Sequence, residues 1–122
     1  MQAREIPRSE WASFLQGFSS QHQGWLANVE RRQHADGRLP ILQEQPLIEI
    51  RVDPEADQIN LLFGRPDGGQ FNDVVKEPMR VKFLEAAPGA HAGLEIQSVD
   101  GTSLVLRFRS AMPPEMIDGI AA

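Results

Sequence analysis

The dipeptide Asp-Gly occurs three times in this 122-residue chain, each time between stretches in which apolar and polar residues alternate. The three copies are Asp36-Gly37, Asp67-Gly68 and Asp100-Gly101. Alternation with a period of two is typical of a β-strand that buries one face, and glycine supplies the positive φ that tight hairpin turns require. This combination restricts the chain to folds built largely from antiparallel hairpins.

The last Asp-Gly pair also predicts a strand register. A three-residue loop, with Gly101 in a left-handed bulge position, pairs Ile96 with Leu104. A two-residue loop would instead place Ile96 opposite Val105 and turn the apolar residues of the two strands to opposite faces. We expect the three-residue loop because it keeps one apolar face on both strands.

The same parity argument predicts two more hairpins in the middle of the chain. A loop at residues 54–57 pairs Val52 with Ile59. A bulged loop at the second Asp-Gly pair sets Phe63 against Phe71. Both registers keep the apolar residues of the paired strands on one continuous face.

An amphipathic helix is predicted over about residues 7–22. Its apolar residues follow a 3.6-residue period and are Trp11, Phe14, Leu15 and Phe18. Three aromatic side chains on one face are too costly to leave in water, so this helix must cover a sheet.

The fold class that we expect is α+β, in a single domain over residues 1–122. The helix would pack on an antiparallel, hairpin-rich meander of six to eight strands, over about residues 24–110, which forms a strongly bent sheet or a small barrel. Pro40 and Pro46 predict an edge position or a break within the sheet. The sequence lacks βαβ alternation, which disfavours a parallel sheet. Residues 111–122 are predicted to form an irregular tail.

Composition excludes several classes of function. A net charge of −5 disfavours general attraction to nucleic acid or to an anionic membrane surface. The chain contains no cysteine, which removes disulfides, thiolate nucleophiles and cysteine-ligated metals. No apolar run is long enough to span a bilayer. We expect a soluble, cytoplasmic protein.

The three histidines do not form a metal-binding motif. His22, His34 and His91 lack the i, i+4 and i, i+2 spacings by which a helix or a strand brings ligands together. His34 and His91 are predicted to lie at turns, where exposed histidines are common. His22 is predicted near the C-terminal end of the helix, where the helix dipole favours an imidazolium.

Asp73 is the one residue that does not fit the apolar face. The register of the second hairpin places it opposite Leu61, so that its carboxylate points inward and needs a partner. Two structural explanations are a bulge that turns it outward and a role in blocking edge-to-edge pairing of strands. The functional explanation is ligand binding.

Four basic residues form a second candidate site. They are Arg80 and Lys82 on one predicted strand, and Arg107 and Arg109 on another. If these strands were neighbours, the four side chains would form a basic patch able to hold a phosphate or an acidic peptide. The alternative is a solvated polar face that is balanced by Glu95 and Glu49.

Two runs of residues resemble a known family. The N-terminal run comprises Ile6-Pro7, Trp11, Phe14-Leu15, Phe18-Ser19, His22 and Gly24-Trp25, and the C-terminal run comprises Leu94-Glu95-Ile96, Asp100-Gly101 and Leu106-Arg107-Phe108. They look like the start and the closing hairpin of a small bacterial family known only as a domain of unknown function. The likeness spans most of the chain, with a looser match over about residues 31–77. It implies one domain and carries no activity over to this chain.

The function that we expect is a non-catalytic binding or protein-interaction module, which uses an edge strand or the groove between helix and sheet. The alternative is a small enzyme or ligand carrier with a pocket between helix and sheet. The candidate binding residues are Asp73, His22, Arg80 and Arg107, and no catalytic residue, metal or cofactor is predicted. The partner would be a protein or a small molecule rather than nucleic acid or a membrane, and a homodimer is compatible with either function.

Overall fold

The computed structural model describes residues 2–33, 37–65, 67–87 and 90–112. The elements in chain order are β1 (Gln2–Ile6), a 3₁₀ turn (Arg8–Glu10), α1 (Trp11–Gln21), β2 (Leu26–Gln33), β3 (Gly37–Asp53), β4 (Gln58–Gly64), β5 (Gln70–Lys76), β6 (Pro78–Ala87), β7 (Ala90–Ser98) and β8 (Thr102–Met112). The predicted combination of one N-terminal helix with a hairpin-rich sheet is confirmed. The C-terminal residues 113–122, on which most of the predicted tail falls, lie outside the described residues, and β8 extends to Met112.

The eight strands form one antiparallel sheet in the order β1-β6-β7-β8-β2-β3-β4-β5. The sheet is not closed, since β1 and β5 are its two edges. Of the two predicted forms, the bent sheet is the one observed. Most neighbours are joined by short hairpins, but β2 pairs with both β3 and β8, which brings the end of the chain back beside its first hairpin.

The long strand β3 turns the sheet. Its first part pairs with β2 up to Pro46, and its second part pairs with β4 from Leu47 onward. Pro40 and Pro46 both lie in the first part, which within the described residues is paired on one side only. A proline has no N–H to donate to a ladder, so this locally one-sided stretch accommodates both rings.

The hairpin registers agree with those predicted from parity. Ile96 pairs with Leu104, and Phe63 pairs with Phe71. Val52 pairs with Ile59 across the turn between β3 and β4. Gly68 and Gly101 have φ of +88° and +94°, the left-handed conformation that the turns required. Asp36 of the first Asp-Gly pair lies outside the described residues.

The apolar stripe of α1 packs against the concave face of the sheet. Trp11, Leu15 and Phe18 are buried, and the Phe14 ring lies 5.8 Å from that of Phe83 on β6. The indole N–H of Trp11 donates a 2.9 Å hydrogen bond to the carbonyl of Ile6, which ties the start of the helix to β1. The predicted helical span begins with the 3₁₀ turn rather than with α-helix.

Strand β1 was not predicted from the sequence. It pairs with β6 from Gln2 to Ile6, but only Ile6 is buried. Four exposed residues in a row produce neither apolar alternation nor a turn signal, so the pattern that identifies the other strands is absent here.

Candidate functional site

Asp73 points into the fold, as its register requires. It lies opposite Leu61 in a β4–β5 ladder that has no irregularity, and it is 8% exposed. The explanation in which a bulge turns the side chain outward is therefore wrong. Since β5 is an edge strand, an inward-pointing charge there fits the second structural explanation, in which it discourages pairing with another sheet edge.

The partner of Asp73 is Arg31 on β2. Nη2 of Arg31 lies 2.7 Å from Oδ1 of Asp73, and the backbone N–H of Val74 donates to the same oxygen at 2.9 Å. Strands β2 and β5 are separated by β3 and β4 in the sheet order, so only the bend brings the two side chains together. The ion pair thus joins the free edge of β5 to the opposite wall of the fold.

The two oxygens of this carboxylate have different surroundings. Oδ1 accepts two hydrogen bonds, whereas Oδ2 is buried and has no hydrogen-bond partner among the described residues. Buried polar atoms nearly always have a hydrogen-bond partner, so Oδ2 of Asp73 is an exception to this rule. Leaving a carboxylate oxygen in this state is tolerable only because the guanidinium of Arg31 neutralises the group.

A pocket of about 270 Å³ lies where the free edge of β5 faces β2 and the β7–β8 hairpin. It is lined by Arg31, by residues 74–76 of β5 and by residues 98, 100 and 102–104 of the hairpin, and we call it the seam pocket. Its charged residues are Arg31, Lys76 and Asp100, and Ser98 and Thr102 contribute hydroxyl groups. The pocket is thus mainly polar and is formed by β2, β5 and the β7–β8 hairpin, three parts of the chain that are distant in sequence.

Asp100 at the rim of the seam pocket is held ionised by its own turn. The backbone N–H and the hydroxyl of Thr102 both donate to Oδ1 of Asp100, at 2.9 and 2.7 Å. These hydrogen bonds, with a smaller contribution from the positive charge of Arg31, lower the pKa of the Asp100 carboxyl. Oδ1 of Asp100 thus accepts its hydrogen bonds from within the β7–β8 turn.

A second polar cluster lies at the junction of α1 and the sheet. His22 directly follows the helix and has no exposed surface; its Nδ1 donates to the carbonyl of Phe18 at 2.6 Å. Its Nε2 lies 2.9 Å from Nδ1 of His91 on β7. Four rings surround His22 at centroid distances of 4.4 to 5.0 Å, and they belong to Phe18, Trp25, Phe108 and His91.

A β-bulge turns His91 toward His22. Strict alternation from Leu94 would place His91 on the outer face, but Ala92 is skipped in the pairing of β7 with β6, where His91 pairs with Glu85 and Gly93 with Leu84. His91 is therefore half-buried in a strand rather than exposed at a turn. Burial lowers the pKa of the His91 imidazole, and the charge of Glu85 partly opposes this shift. His34 lies outside the described residues.

The predicted basic patch required β6 and β8 to be neighbouring strands, and they are not. Strand β7 lies between β6 and β8, so Arg80 pairs with Gln97 and Arg107 pairs with Gly93. Arg109 forms a 3.3 Å ion pair with Glu44 on β3. Arg107 lines a different pocket, of about 430 Å³, beside Glu30 and Asn28. The structure therefore separates these cations.

The groove between the helix and the sheet does contain a pocket. It has a volume of about 290 Å³ and lies among the start of α1, the β3–β4 turn and Pro78. Arg8 stacks over the Trp11 ring at 4.6 Å and donates to the carbonyl of Pro78. Neither Asp73 nor His22 lines this pocket.

Two residues of these clusters were missed by sequence reasoning. Arg31 carried a readable signal, because it continues the buried alternation of Ala27 and Val29 along β2. His91 carried none, because the bulge reverses the face that alternation predicts for it. Within the described residues, no group of three or more histidine, cysteine, aspartate or glutamate side chains could hold a metal ion, and no helix is long and apolar enough to cross a membrane.

Comparison with known proteins identifies one family. Residues 2–116 match the model of a family described only as a family of unknown function, DUF5335. The chain matches no curated protein and no solved structure.

Proposed function

Because the chain belongs to DUF5335, a family without an assigned function, we propose its function from its own geometry: it is a non-catalytic module that binds a small molecule in the seam pocket. The observation that carries the proposal is the Arg31–Asp73 ion pair. It brings a guanidinium to the wall of a polar pocket and leaves that side chain 34% exposed.

The shape and composition of the seam pocket support small-molecule binding. Its volume of about 270 Å³ is close to the lower limit of about 300 Å³ that is typical of small-molecule sites. Charged groups, hydroxyls and the apolar side chains of Val75 and Leu104 all line it. Such a mixture orients a ligand through a few polar contacts while apolar surface contributes to affinity.

The surroundings of Asp73 and His22 favour a binding module over the small enzyme. A general acid or base must come within hydrogen-bond distance of the proton that it transfers. Asp73 is buried against Arg31, and His22 is enclosed by aromatic rings and has no exposed surface. In this conformation neither side chain can contact a substrate.

A fragment screen followed by amide NMR tests the proposal. We expect hits to shift the amide signals of Arg31, of residues 74–76 and of residues 98–104. The variant Thr102→Trp, at a position on the same face of β8 as Leu104 and Arg31, should fill the seam pocket and abolish these shifts, whereas Ser13→Trp on the exposed face of α1 should leave them unchanged. Shifts confined to the pocket beside Trp11, or no shifts for any compound, would contradict the proposal.

We further propose that the protein acts in the cytoplasm. Its acidic composition and lack of cysteine support this location. Cell fractionation with an antibody against the native protein tests it, and recovery from an exported fraction would contradict it.

A further inference from the structure

We infer that the ligand of the seam pocket carries an anionic group, a carboxylate or a phosphate, which binds between Arg31 and Lys76. This inference rests on the proposed function, since it names the chemical class of the ligand for the same pocket. The side chains that carry it come from two strands, β2 and β5, that face each other only because the sheet is bent.

The number of cations in its lining distinguishes the seam pocket from three other pockets on the described surface. Two of those, beside Arg107 and beside Arg51, have one cation and one carboxylate each and are neutral. The pocket beside Trp11 has one cation and two carboxylates. The seam pocket has two cations and one carboxylate. Because Asp73 is paired with Arg31, the charges around the pocket balance overall, and the feature that favours an anionic group is the second cation, Lys76, in the same lining.

The guanidinium of Arg31 has donors to offer a ligand. An arginine side chain has five N–H donors in a planar fork, and the contact with Asp73 is made through Nη2 alone. A carboxylate or a phosphate matches such a fork better than a neutral group does. Asp73 acts here as a positioning residue, because its ion pair holds the guanidinium in one orientation before the ligand arrives.

The rest of the lining restricts where the anionic group can bind. Lys76, exposed at the end of β5, is the second cation of the lining. Asp100 on the opposite rim is ionised and would repel a second anionic group there. The ligand therefore has one anionic end toward Arg31 and Lys76, and a neutral or hydrogen-bond-donating end toward Asp100.

Titration with simple anions tests the inference directly. Inorganic phosphate and acetate, added at constant ionic strength while amide NMR spectra are recorded, distinguish a phosphate preference from a carboxylate preference. We expect saturable shifts of the seam-pocket amides in the millimolar range with at least one anion. Higher ionic strength should weaken the binding, as for any partly exposed charge pair.

Three variants assign the binding to the named side chains. Lys76→Gln should weaken anion binding about tenfold, as expected for the loss of one charged hydrogen bond. Arg51→Gln, which removes an exposed arginine paired with Glu49 elsewhere, is the matched control and should leave affinity unchanged. Because Arg31→Gln alone leaves Asp73 without its cation, the double variant R31Q/D73N is used to remove the guanidinium in a folded protein, and it should abolish binding.

The outcomes separate this inference from the proposed function. If neutral fragments bind the seam pocket and neither anion does, the anionic ligand is excluded and the binding module stands. If no compound of any charge binds there, the proposed function itself fails. Anion binding that survives both Lys76→Gln and R31Q/D73N would place the site elsewhere and overturn the inference.

Discussion

Nε2 of His22 and Nδ1 of His91 lie 2.9 Å apart, which joins the end of the helix to a strand 69 positions away in the chain. The carbonyl of Phe18 only accepts, so Nδ1 of His22 must carry a proton. One further proton can lie between the two rings, on either histidine. If both rings were fully protonated, two N–H groups would face each other and the hydrogen bond would be lost.

This pair makes the stability of the protein sensitive to acid. The folded-state pKa of His91 is lowered, so the unfolded chain binds the proton more readily than the native state does. The stabilising contribution is therefore complete above the unfolded pKa of about 6.5 and is lost as the pH falls through the lower folded value. Urea unfolding between about pH 5 and pH 8 should show stability decreasing with acid across this window.

The variant His91→Phe isolates that contribution. The phenyl ring keeps the contact with Phe83, whose ring lies 4.9 Å from that of His91, but cannot titrate. We expect a smaller loss of stability between neutral and mildly acidic pH than in the native protein. Equal pH dependence in the two proteins would show that the acid sensitivity arises elsewhere.

Gly93 should not tolerate alanine. A Cβ at this position would lie 2.0 Å from the carbonyl oxygen of Leu106 on the neighbouring strand, so the backbone of β7 or β8 would have to move. We expect Gly93→Ala to lower the free energy of unfolding by about 3 kcal/mol or more, in the upper range for an overpacked site. Loss of the bulge should also move the NMR signals of His91.

Gly17→Ala is the matched control for that substitution. Gly17 lies inside α1, and a Cβ there would meet no atom within 4 Å. Alanine should stabilise the helix by about 0.5 to 1 kcal/mol, because glycine loses more backbone entropy on folding. If Gly17→Ala and Gly93→Ala had the same effect in urea unfolding, the close approach of β7 to β8 would not explain the result.

Removing one partner of the Arg31–Asp73 pair should cost more than removing both. Arg31→Met leaves a buried carboxylate without its cation, and we expect a loss of about 2 to 3 kcal/mol, below the range for a fully buried pair because the Arg31 side chain is 34% exposed. The double variant R31M/D73L should recover most of this loss. A double-mutant cycle in urea measures the coupling, and additive effects would contradict a direct interaction.

The same double variant should associate. Asp73 is an inward-pointing charge on the edge strand β5, and its replacement by leucine removes an obstacle to pairing with another sheet edge. Light scattering should show concentration-dependent assembly of R31M/D73L and none of R31Q/D73N, which keeps a polar side chain at this position. Equal behaviour of the two variants would assign the protection of this edge to other residues.

The contribution of α1 to the stability of the protein is measured by truncating a buried side chain on its apolar face. Leu15 is fully buried between α1 and the sheet, whereas Leu39 on β3 is 64% exposed. We expect Leu15→Ala to destabilise the protein by about 2 to 5 kcal/mol through lost burial and a cavity. Leu39→Ala should change stability by less than about 0.5 kcal/mol. Similar effects of the two substitutions in thermal unfolding would contradict the packing of the helix on the sheet.

Local periodicity determined the helix, most strands and the hairpin registers. Trp11, Leu15 and Phe18 lie on one face of any helix with 3.6 residues per turn. Ile96 can face the core together with Leu104 only if the loop between them has three residues rather than two. These features depend on neighbours within a few residues, and a register slip of one residue would move an entire apolar set into water. Asp73 was predicted to point inward for the same reason.

Tertiary structure alone decided which of these elements meet. The bend of the sheet brings Arg31 to Asp73, the bulge at Ala92 brings His91 to His22, and the position of β7 separates Arg80 from Arg107. Each of these relations joins residues far apart in the chain, and their geometry depends on the twist and curvature of the whole sheet. Alternation specifies the face on which a side chain lies. The partner across the core is chosen by how all the strands pack, and for this reason the seam pocket could not be predicted from the sequence.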